Sequence, residues 1–186
     1  LPSVAGLYLS KEVTMLSKLL ENPKPPFTII IGGAKISDKV DAVNNLIHMA
    51  NTILVGGAVA NVFLKAEGRV LGSSFVEDVF VDEAKREKKD WVLYAKDILE
   101  LAKSLGKRVI TPKDLIISDG SLIKTIDVTT EEIPMGWMAL DIGPSSQKDF
   151  CDVISQSETV FINGPMGKFD GDKFIAGSKS ILEAMK

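Results

Sequence analysis

Residues 27–39 read FTIIIGGAKISDK, a short β-rich apolar run that leads directly into a Gly-Gly turn. A run of this kind, ended by glycine, is typical of a strand buried on both faces of a parallel sheet. The apolar residues beyond the turn recur every three or four positions, at Ile36, Val40, Val43, Ile47 and Ala50. This spacing predicts a helix, so the segment is expected to fold as strand, turn and helix.

The same alternation continues along the chain. Further strands are predicted at Ile53–Val55, Val109–Thr111, Trp137–Asp141 and Thr159–Asn163. Further helices are predicted over Trp91–Leu105, from Ser145 or Ser146 to Ile154, and from Asp172 to Met185. Strands that are separated by crossover helices form a parallel sheet covered on both faces. The fold class expected from the pattern is therefore α/β.

Two segments interrupt this alternation. Leu115–Val128 contains two short strand patterns joined at Asp119-Gly120, which is a strong signal for a β-hairpin. The mixed-charge run EAKREKKD, Glu83–Asp90, is expected to be a solvated helix face or a loop.

The composition restricts the classes of protein that need to be considered. The 186 residues are 45% hydrophobic and 25% charged, which suits one globular domain. A net charge of −3 removes the broad positive field of a protein that binds duplex nucleic acid. No apolar run is long enough to predict a membrane span, and no signal peptide is recognisable. We expect a cytoplasmic chain. We also expect it to be cut from a longer protein, because it finishes in a helix without a closing strand.

The single cysteine and single histidine exclude several kinds of site. Cys151 has no second cysteine with which to form an intrachain disulfide. Cys151 and His48 together cannot supply a four-ligand Cys/His zinc site. With only one histidine, and no usable Ser-His-Asp spacing, a hydrolytic triad is not expected either.

Four of the five predicted strands end in glycine-bearing turns, and these turns carry the candidate site. Their sequences are GGAKISDK (32–39), GGAVAN (56–61), DIGPSS (141–146) and NGPMGKFD (163–170). Because ligands of parallel α/β sheets bind beyond the carboxyl ends of the strands, we expect an amide-rich edge there that suits a phosphate-bearing ligand. Neither a P-loop nor a G-x-G-x-x-G fingerprint is present, which argues against ordinary P-loop enzymes and dinucleotide dehydrogenases.

Two lysines sharpen this expectation. Lys35 and Lys39 are four residues apart at the predicted start of the first helix, where one turn would bring both ammonium groups to the same side. Cations are unfavourable at that end of a helix dipole, and an anionic ligand would relieve the conflict. Alternatively both side chains extend into water, with Asp38 and Asp41 offsetting their charge. The spacing alone leaves the two interpretations open.

Taken in order, these turns resemble the nucleotide-binding C-terminal domain of phosphoglycerate kinase. The segments that carry the resemblance are LPSVAG (1–6), GGAKISDK, VGGAVANVFLKAEG (55–68), EIPMGWMALDIGP (132–144) and NGPMGKFD. The resemblance spans residues 1–186 and implies a three-layer α/β/α Rossmann-like domain with a short β-hairpin insertion. It also implies that the closing edge strand and the N-terminal substrate domain of the family are absent from this chain.

The resemblance assigns roles to individual residues. It implies that Lys35 is catalytic and meets the phosphoryl group in flight, while Lys39 and Asn163 contact the nucleotide phosphates. Asp170 would hold the ribose hydroxyls. The positions at or near the adenine pocket would be Gly33, Ala34, Gly57, Ala58, Leu140 and Pro165. The residues that differ from the usual family pattern are Ala58, Ala139, Lys168 and Asp170.

The activity implied by the resemblance is reversible phosphoryl transfer between 1,3-bisphosphoglycerate and ADP, giving 3-phosphoglycerate and ATP. The nucleotide would be ADP or ATP with Mg²⁺, although the aspartate that holds magnesium is not in this chain. The three-carbon substrate would bind only through the absent domain, so the isolated chain is expected to have no activity of its own. The chain is also expected to be a monomer. Two alternatives are a non-catalytic nucleotide-binding or interaction module and an unrelated NAD-binding domain.

Overall fold

The computed structural model describes residue 4, residues 6–82 and residues 87–186. The helices are α1 (Leu7–Glu21), α2 (Val40–Leu46), α3 (Gly57–Ala66), α4 (Trp91–Ser104), α5 (Pro144–Ser155) and α6 (Ala176–Ala184), with a 3₁₀ turn at Asp172–Phe174. The strands are β1 (Phe27–Ile31), β2 (Thr52–Val55), β3 (Val79–Asp82), β4 (Glu87–Asp90), β5 (Arg108–Ile110), β6 (Asp114–Ser118), β7 (Ile123–Asp127), β8 (Met138–Ile142) and β9 (Thr159–Asn163).

A four-stranded parallel sheet lies at the centre, with the strand order β5-β2-β1-β9. Its middle strands β1 and β2 are buried along their whole length, which explains their uninterrupted apolar sequences. Ile29 and Ile31 pack with α2, α3 and α4 on one face, whereas Ile30 packs with α5 and α6 on the other. The three-layer α/β/α architecture is therefore confirmed.

The strand predicted at Trp137–Asp141 forms one residue later, as β8, but it does not join the parallel sheet. It pairs antiparallel with β6, and β6 pairs antiparallel with β7, so that the hairpin becomes a separate three-stranded sheet of order β7-β6-β8. The hairpin over Leu115–Val128 is thus confirmed, and the assignment of a fifth parallel strand was wrong. The reason is that the hairpin leaves one edge of β6 open, and β8 takes that edge instead of a place beside the parallel strands.

Three predicted helix starts were also wrong. Helix α2 begins at Val40 and not at Ile36, although Ile36 is fully buried in the core. Helix α5 begins at Pro144, with Gly143 as the N-cap in place of a serine. Asp172 starts only the short 3₁₀ turn, and α6 begins four residues later at Ala176.

The mixed-charge run 83–90 is described only in part. Residues 87–90 form β4, which pairs antiparallel with β3, so the expected helix or loop was wrong for this half. Residues 83–86 lie outside the described part of the chain.

Candidate functional site

A cavity of about 410 Å³ lies beyond the carboxyl ends of β1, β2 and β9. This is the edge of a parallel sheet at which ligands bind, because successive turns there converge on one space. Its other side is formed by residues of β6 and β8 and by Phe75. The lining residues are Gly33, Ala34, Gly57, Ala58, Asn61, Phe75, Leu115, Ala139, Leu140, Asp141, Ile142, Pro165, Met166, Gly167, Lys168, Phe169 and Asp170.

The glycine turns after β1 and β2 are bonded directly to the loop that follows β9. The Gly33 amide donates to the Pro165 carbonyl at 2.8 Å, and the Gly57 amide donates to the Met166 carbonyl at 2.9 Å. The Val59 amide, in the first turn of α3, donates to the Gly33 carbonyl at 3.2 Å. The three turns are thus brought together as predicted. The Gly33 and Gly57 amides donate to carbonyls of the neighbouring loop, so these two amides are not available to an anion.

Glycine is required at residue 57 by both conformation and space. Gly57 has φ +60°, and a Cβ there would lie 2.6 Å from the Gly33 nitrogen and 2.7 Å from the Gly33 oxygen. Contacts below 3.0 Å force the neighbouring backbone to move, and this backbone is fixed by the hydrogen bonds between the loops. The glycines therefore allow close packing of one loop on another, and that packing gives this side of the cavity its shape.

Lys39 and Asn163 meet beside the cavity. The Lys39 ammonium donates to the Asn163 side-chain oxygen at 2.6 Å, and both residues are half-buried. Lys39 is the residue that precedes α2, and its Cε lies 3.8 Å from the position of a Cβ on Gly33. An ammonium has three donors, so a lysine held in this way keeps two of them for other acceptors. The geometry can accommodate an anionic oxygen next to the glycine turn.

Lys35 is not brought to Lys39 by a helix. Because α2 begins only at Val40, both lysines precede it, and the predicted one-turn spacing of their ammonium groups was wrong. The Lys35 side chain is exposed and is not among the residues that line the cavity, although its neighbour Ala34 is.

Seven of the ten residues predicted for the site line this one cavity, namely Gly33, Ala34, Gly57, Ala58, Leu140, Pro165 and Asp170. Lys39 and Asn163 lie beside it and contact each other. Lys35 is the residue that the structure leaves outside the group.

The aromatic lining of the cavity was not predicted from the sequence. Phe75 and Phe169 both line it, and their exposed fractions are 54% and 72%. Asn61 also lines the cavity, is 2% exposed and donates from its side-chain amide to the Phe75 carbonyl at 2.9 Å. Phe169 stands inside the motif NGPMGKFD and could have been noted, but no local pattern marks Phe75 or Asn61.

Two buried carboxylates hold the other side of the cavity. Asp141, 4% exposed, accepts from the Ile142 amide and from the Gly177 amide at the start of α6, both at 2.9 Å. Burial raises the pKa of Asp141, and these two hydrogen bonds oppose that shift only in part.

Asp114, which is 7% exposed, accepts hydrogen bonds from the start of α5 in the same way. Its carboxylate accepts from the Ser145 amide at 3.0 Å, from the Ser146 amide at 2.7 Å and from the Ser146 hydroxyl at 2.5 Å. The first turns of α5 and α6 are therefore satisfied by carboxylates from β6 and β8, and a negative charge is favourable at a helix N-terminus.

Neither a metal cluster nor a membrane span was found in the described residues. Within residues 4, 6–82 and 87–186, no three His, Cys, Asp or Glu side chains come together as metal ligands would. No helix in the same part of the chain is both long and apolar enough to cross a bilayer.

Comparison with known proteins relates this geometry to a family. The family model described as phosphoglycerate kinase matches residues 1–186. Phosphoglycerate kinases of Thermosipho africanus and Roseiflexus sp. are 42% and 41% identical over the whole of this chain. The chain spans only 44% and 45% of those two relatives.

Solved structures agree with the sequence relatives. Phosphoglycerate kinase from Coxiella burnetii superimposes with a TM-score of 0.83 at 28% identity, over 97% of this chain and 44% of that one. The enzyme from Pyrococcus horikoshii gives the same TM-score and identity over 99% of this chain and 45% of that one. The chain belongs to the phosphoglycerate kinase family.

Proposed function

We propose that this chain is the nucleotide-binding lobe of a phosphoglycerate kinase and that it holds ADP or ATP in the 410 Å³ cavity. The observation that carries the proposal is the Lys39–Asn163 contact beside a cavity whose lining is otherwise largely apolar. An apolar cavity with a fixed cation next to it suits a nucleotide, since the base presents planar, apolar faces and the phosphates are anionic.

The reaction that we propose for the longer protein is phosphoryl transfer between 1,3-bisphosphoglycerate and ADP, which gives 3-phosphoglycerate and ATP. Because this chain spans about 44% of its curated relatives, we propose that the three-carbon substrate binds to residues outside it. Such a division of the site would leave the isolated chain able to bind nucleotide but unable to transfer phosphate.

The roles proposed for individual residues depend on where each residue lies relative to the cavity. The turns at Gly33 and Gly57, together with Leu140, would enclose the base, and Asp170 would accept from the ribose hydroxyls. Lys39 would contact the phosphate chain while Asn163 fixes its ammonium. Phosphoryl transfer depends mostly on alignment and on fixed positive charge, which Lys39 beside the cavity and the exposed Lys35 next to Ala34 would supply.

Lys35 is proposed as the catalytic lysine on grounds that differ from those for Lys39. It is exposed, directly follows the cavity residue Ala34 and precedes α2, so that its flexible stem extends from a turn instead of a helix. A lysine of this kind could follow a phosphoryl group that moves between two bound substrates.

Magnesium would enter bound to the nucleotide. Mg²⁺ prefers oxygen ligands and commonly combines one or two carboxylates with substrate phosphates. The one buried carboxylate that lines the cavity, Asp141, already accepts two backbone hydrogen bonds, and the described residues contain no acidic cluster. The described residues thus do not fit a metal site of their own, and we assign no magnesium ligand to them.

Calorimetric titration of the 186-residue chain with MgADP tests the proposal. Lys39→Ala should weaken ADP binding by about tenfold or more, since it removes a charge-assisted contact to phosphate. Lys96→Ala provides the matched control because Lys96 is exposed on α4, away from the cavity. Equal affinities for ADP in the Lys39 and Lys96 variants would refute the phosphate contact, and wild-type protein that binds no ADP would refute the nucleotide lobe.

We also propose the cytoplasm as the compartment of this chain. Its single cysteine, Cys151, is a half-buried free thiol, which suits a reducing environment. The monomeric state stays a prediction.

A further inference from the structure

Two phenylalanines in the cavity are unusually exposed. Phe75 is 54% exposed and Phe169 is 72% exposed, whereas Phe27, Phe63 and Phe150 are at most 2% exposed. Single exposed apolar residues are ordinary on a protein surface. These two, however, come from separate connections, one between α3 and β3 and one after β9, and both line the same cavity. An aromatic ligand that entered the cavity would cover apolar surface that otherwise faces water.

The backbone that carries Phe75 is fixed against β8. The Ser73 amide donates to the Trp137 carbonyl at 2.9 Å, and the Ser74 hydroxyl accepts from the Ala139 amide at 2.9 Å. On the other side, the buried Asn61 of α3 donates to the Phe75 carbonyl. Phe75 is therefore presented from a fixed position, although its connection has no regular secondary structure.

The backbone around Phe169 is also anchored. The Lys168 amide donates to the Leu140 carbonyl of β8 at 2.7 Å, and the Gly171 amide donates to the Phe169 carbonyl at 3.0 Å. Both phenylalanines are thus attached, through their neighbours, to the β8 residues 139 and 140, which themselves line the cavity. Strand β8 thus anchors the backbone next to both phenylalanines.

The polar side chains of the cavity are few and mostly engaged. Asn61 donates to a backbone carbonyl, and Asp141 accepts from two backbone amides. The remaining polar side chains, Lys168 and Asp170, are exposed. The cavity therefore offers a ligand more apolar surface than hydrogen-bonding groups, and such a surface recognises the face of a planar ring.

We infer that Phe75 and Phe169 contact the faces of the nucleotide base and supply most of the affinity that the base adds to the phosphates. This inference rests on the proposed nucleotide site and identifies two of its specificity-determining residues. Base–aromatic stacking is a strong contact in nucleic-acid binding, since every base presents a π-face. Inorganic diphosphate, which has no base, should gain nothing from either ring.

The experiment compares ADP with inorganic diphosphate, titrated into the 186-residue chain. Phe75→Ala and Phe169→Ala should each weaken ADP binding by about tenfold and leave diphosphate binding unchanged. Phe75→Tyr and Phe169→Tyr keep the ring and should keep the affinity for ADP. Leu122→Ala is the matched control, because Leu122 is 64% exposed in the β6–β7 turn, outside the cavity. Thermal melting of each variant checks that it remains folded.

Each outcome has a separate meaning. ADP affinity that is unchanged in both alanine variants would overturn the inference while leaving the nucleotide site in place. Equal losses for ADP and diphosphate would also overturn it, because the rings would then act on the phosphates or on the fold. A loss in only one variant would overturn the joint role of the two rings. A wild-type chain that binds neither compound would overturn the proposed function itself.

Discussion

The two sides of the cavity are held together by different chemistry. On the glycine side, formed by the turns at Gly33 and Gly57, backbone amides of one loop bond to backbone carbonyls of another. On the carboxylate side, Asp114 and Asp141 accept from the first amides of α5 and α6. The first arrangement contains no titratable group but leaves no room for a side chain. The second is also closely packed, since a Cβ on Gly143 or Gly177 would clash with the Asp114 or Asp141 carboxylate, but its acceptors are titratable side chains. The pH should therefore affect the two sides differently.

The largest effect is expected on the glycine side, from Gly57→Ala. The new Cβ would meet the Gly33 backbone at 2.6 Å, and the residue would keep a left-handed φ of +60°. Left-handed strain and overpacking together should lower the free energy of unfolding by about 3 kcal/mol. Urea denaturation of wild type and variant measures this loss.

Gly68→Ala separates strain from crowding. Gly68 also has a left-handed φ, of +85°, but a Cβ there would have nothing within 4 Å. This variant should lose only about 1 kcal/mol, which is the cost of the conformation alone. Equal losses in the two variants would show that contact between the loops is not what makes glycine necessary at residue 57.

Asp114→Ala should give the next largest effect, on the carboxylate side. Removing this side chain leaves the Ser145 and Ser146 amides without the acceptor that caps α5. The expected loss is about 2 kcal/mol in the free energy of unfolding, the upper range for a helix cap. Amide hydrogen exchange provides the local readout, since the first turn of α5 should lose protection before the parallel sheet does.

Asp152→Ala is the control for Asp114→Ala, because it removes a surface carboxylate that belongs to α5 itself. Asp152 is exposed and pairs with Lys148 on the surface, an interaction of small value. If Asp114→Ala lowered the free energy of unfolding no more than Asp152→Ala does, the cap at Asp114 would not be what stabilises the carboxylate side.

The glycine side was predicted well because the strand and turn patterns that specify it are local in the sequence. The strands β1 and β9 were predicted with the bounds that they have, and the turns that follow them meet because the carboxyl ends of parallel strands share one edge. The hydrogen-bond partners of the glycine amides were not predicted. A run such as GGAK shows that the backbone comes close to something, but it does not tell a ligand from another loop.

The carboxylate side could not be predicted, because its partners are distant in the chain. Asp114 is 31 and 32 residues from the amides that it caps, and Asp141 is 36 residues from Gly177. Local rules therefore proposed Ser145, Ser146 and Asp172 as caps, since these residues stand next to helical patterns. Strand β8 was misplaced for the same reason, since its pairing with β6 depends on tertiary packing.

The smallest expected effect is a pH dependence of the free energy of unfolding, which should differ between the two sides. Burial raises the pKa of Asp141 above 3.8, so the folded chain binds this proton more readily than the unfolded chain does. The contribution of this group to stability is thus greatest below the unfolded pKa and is lost as the pH rises through the folded pKa. Asp141→Asn does not titrate, so wild type should lose stability relative to this variant as the pH rises from about 3 to 8.

The measurement is the difference in free energy of unfolding between wild type and Asp141→Asn, taken at each pH. Asp97→Asn, exposed on α4, corrects for the loss of one carboxylate from the whole chain. Gly57→Ala should show no comparable trend, since the three atoms nearest to a Cβ at residue 57 all belong to the backbone. A wild-type minus Asp141→Asn difference that rises with pH would mean that the hydrogen bonds to Asp141 outweigh burial, and the predicted direction would be wrong. A difference that stays flat would mean that the carboxylate side is not the pH-sensitive side of the cavity.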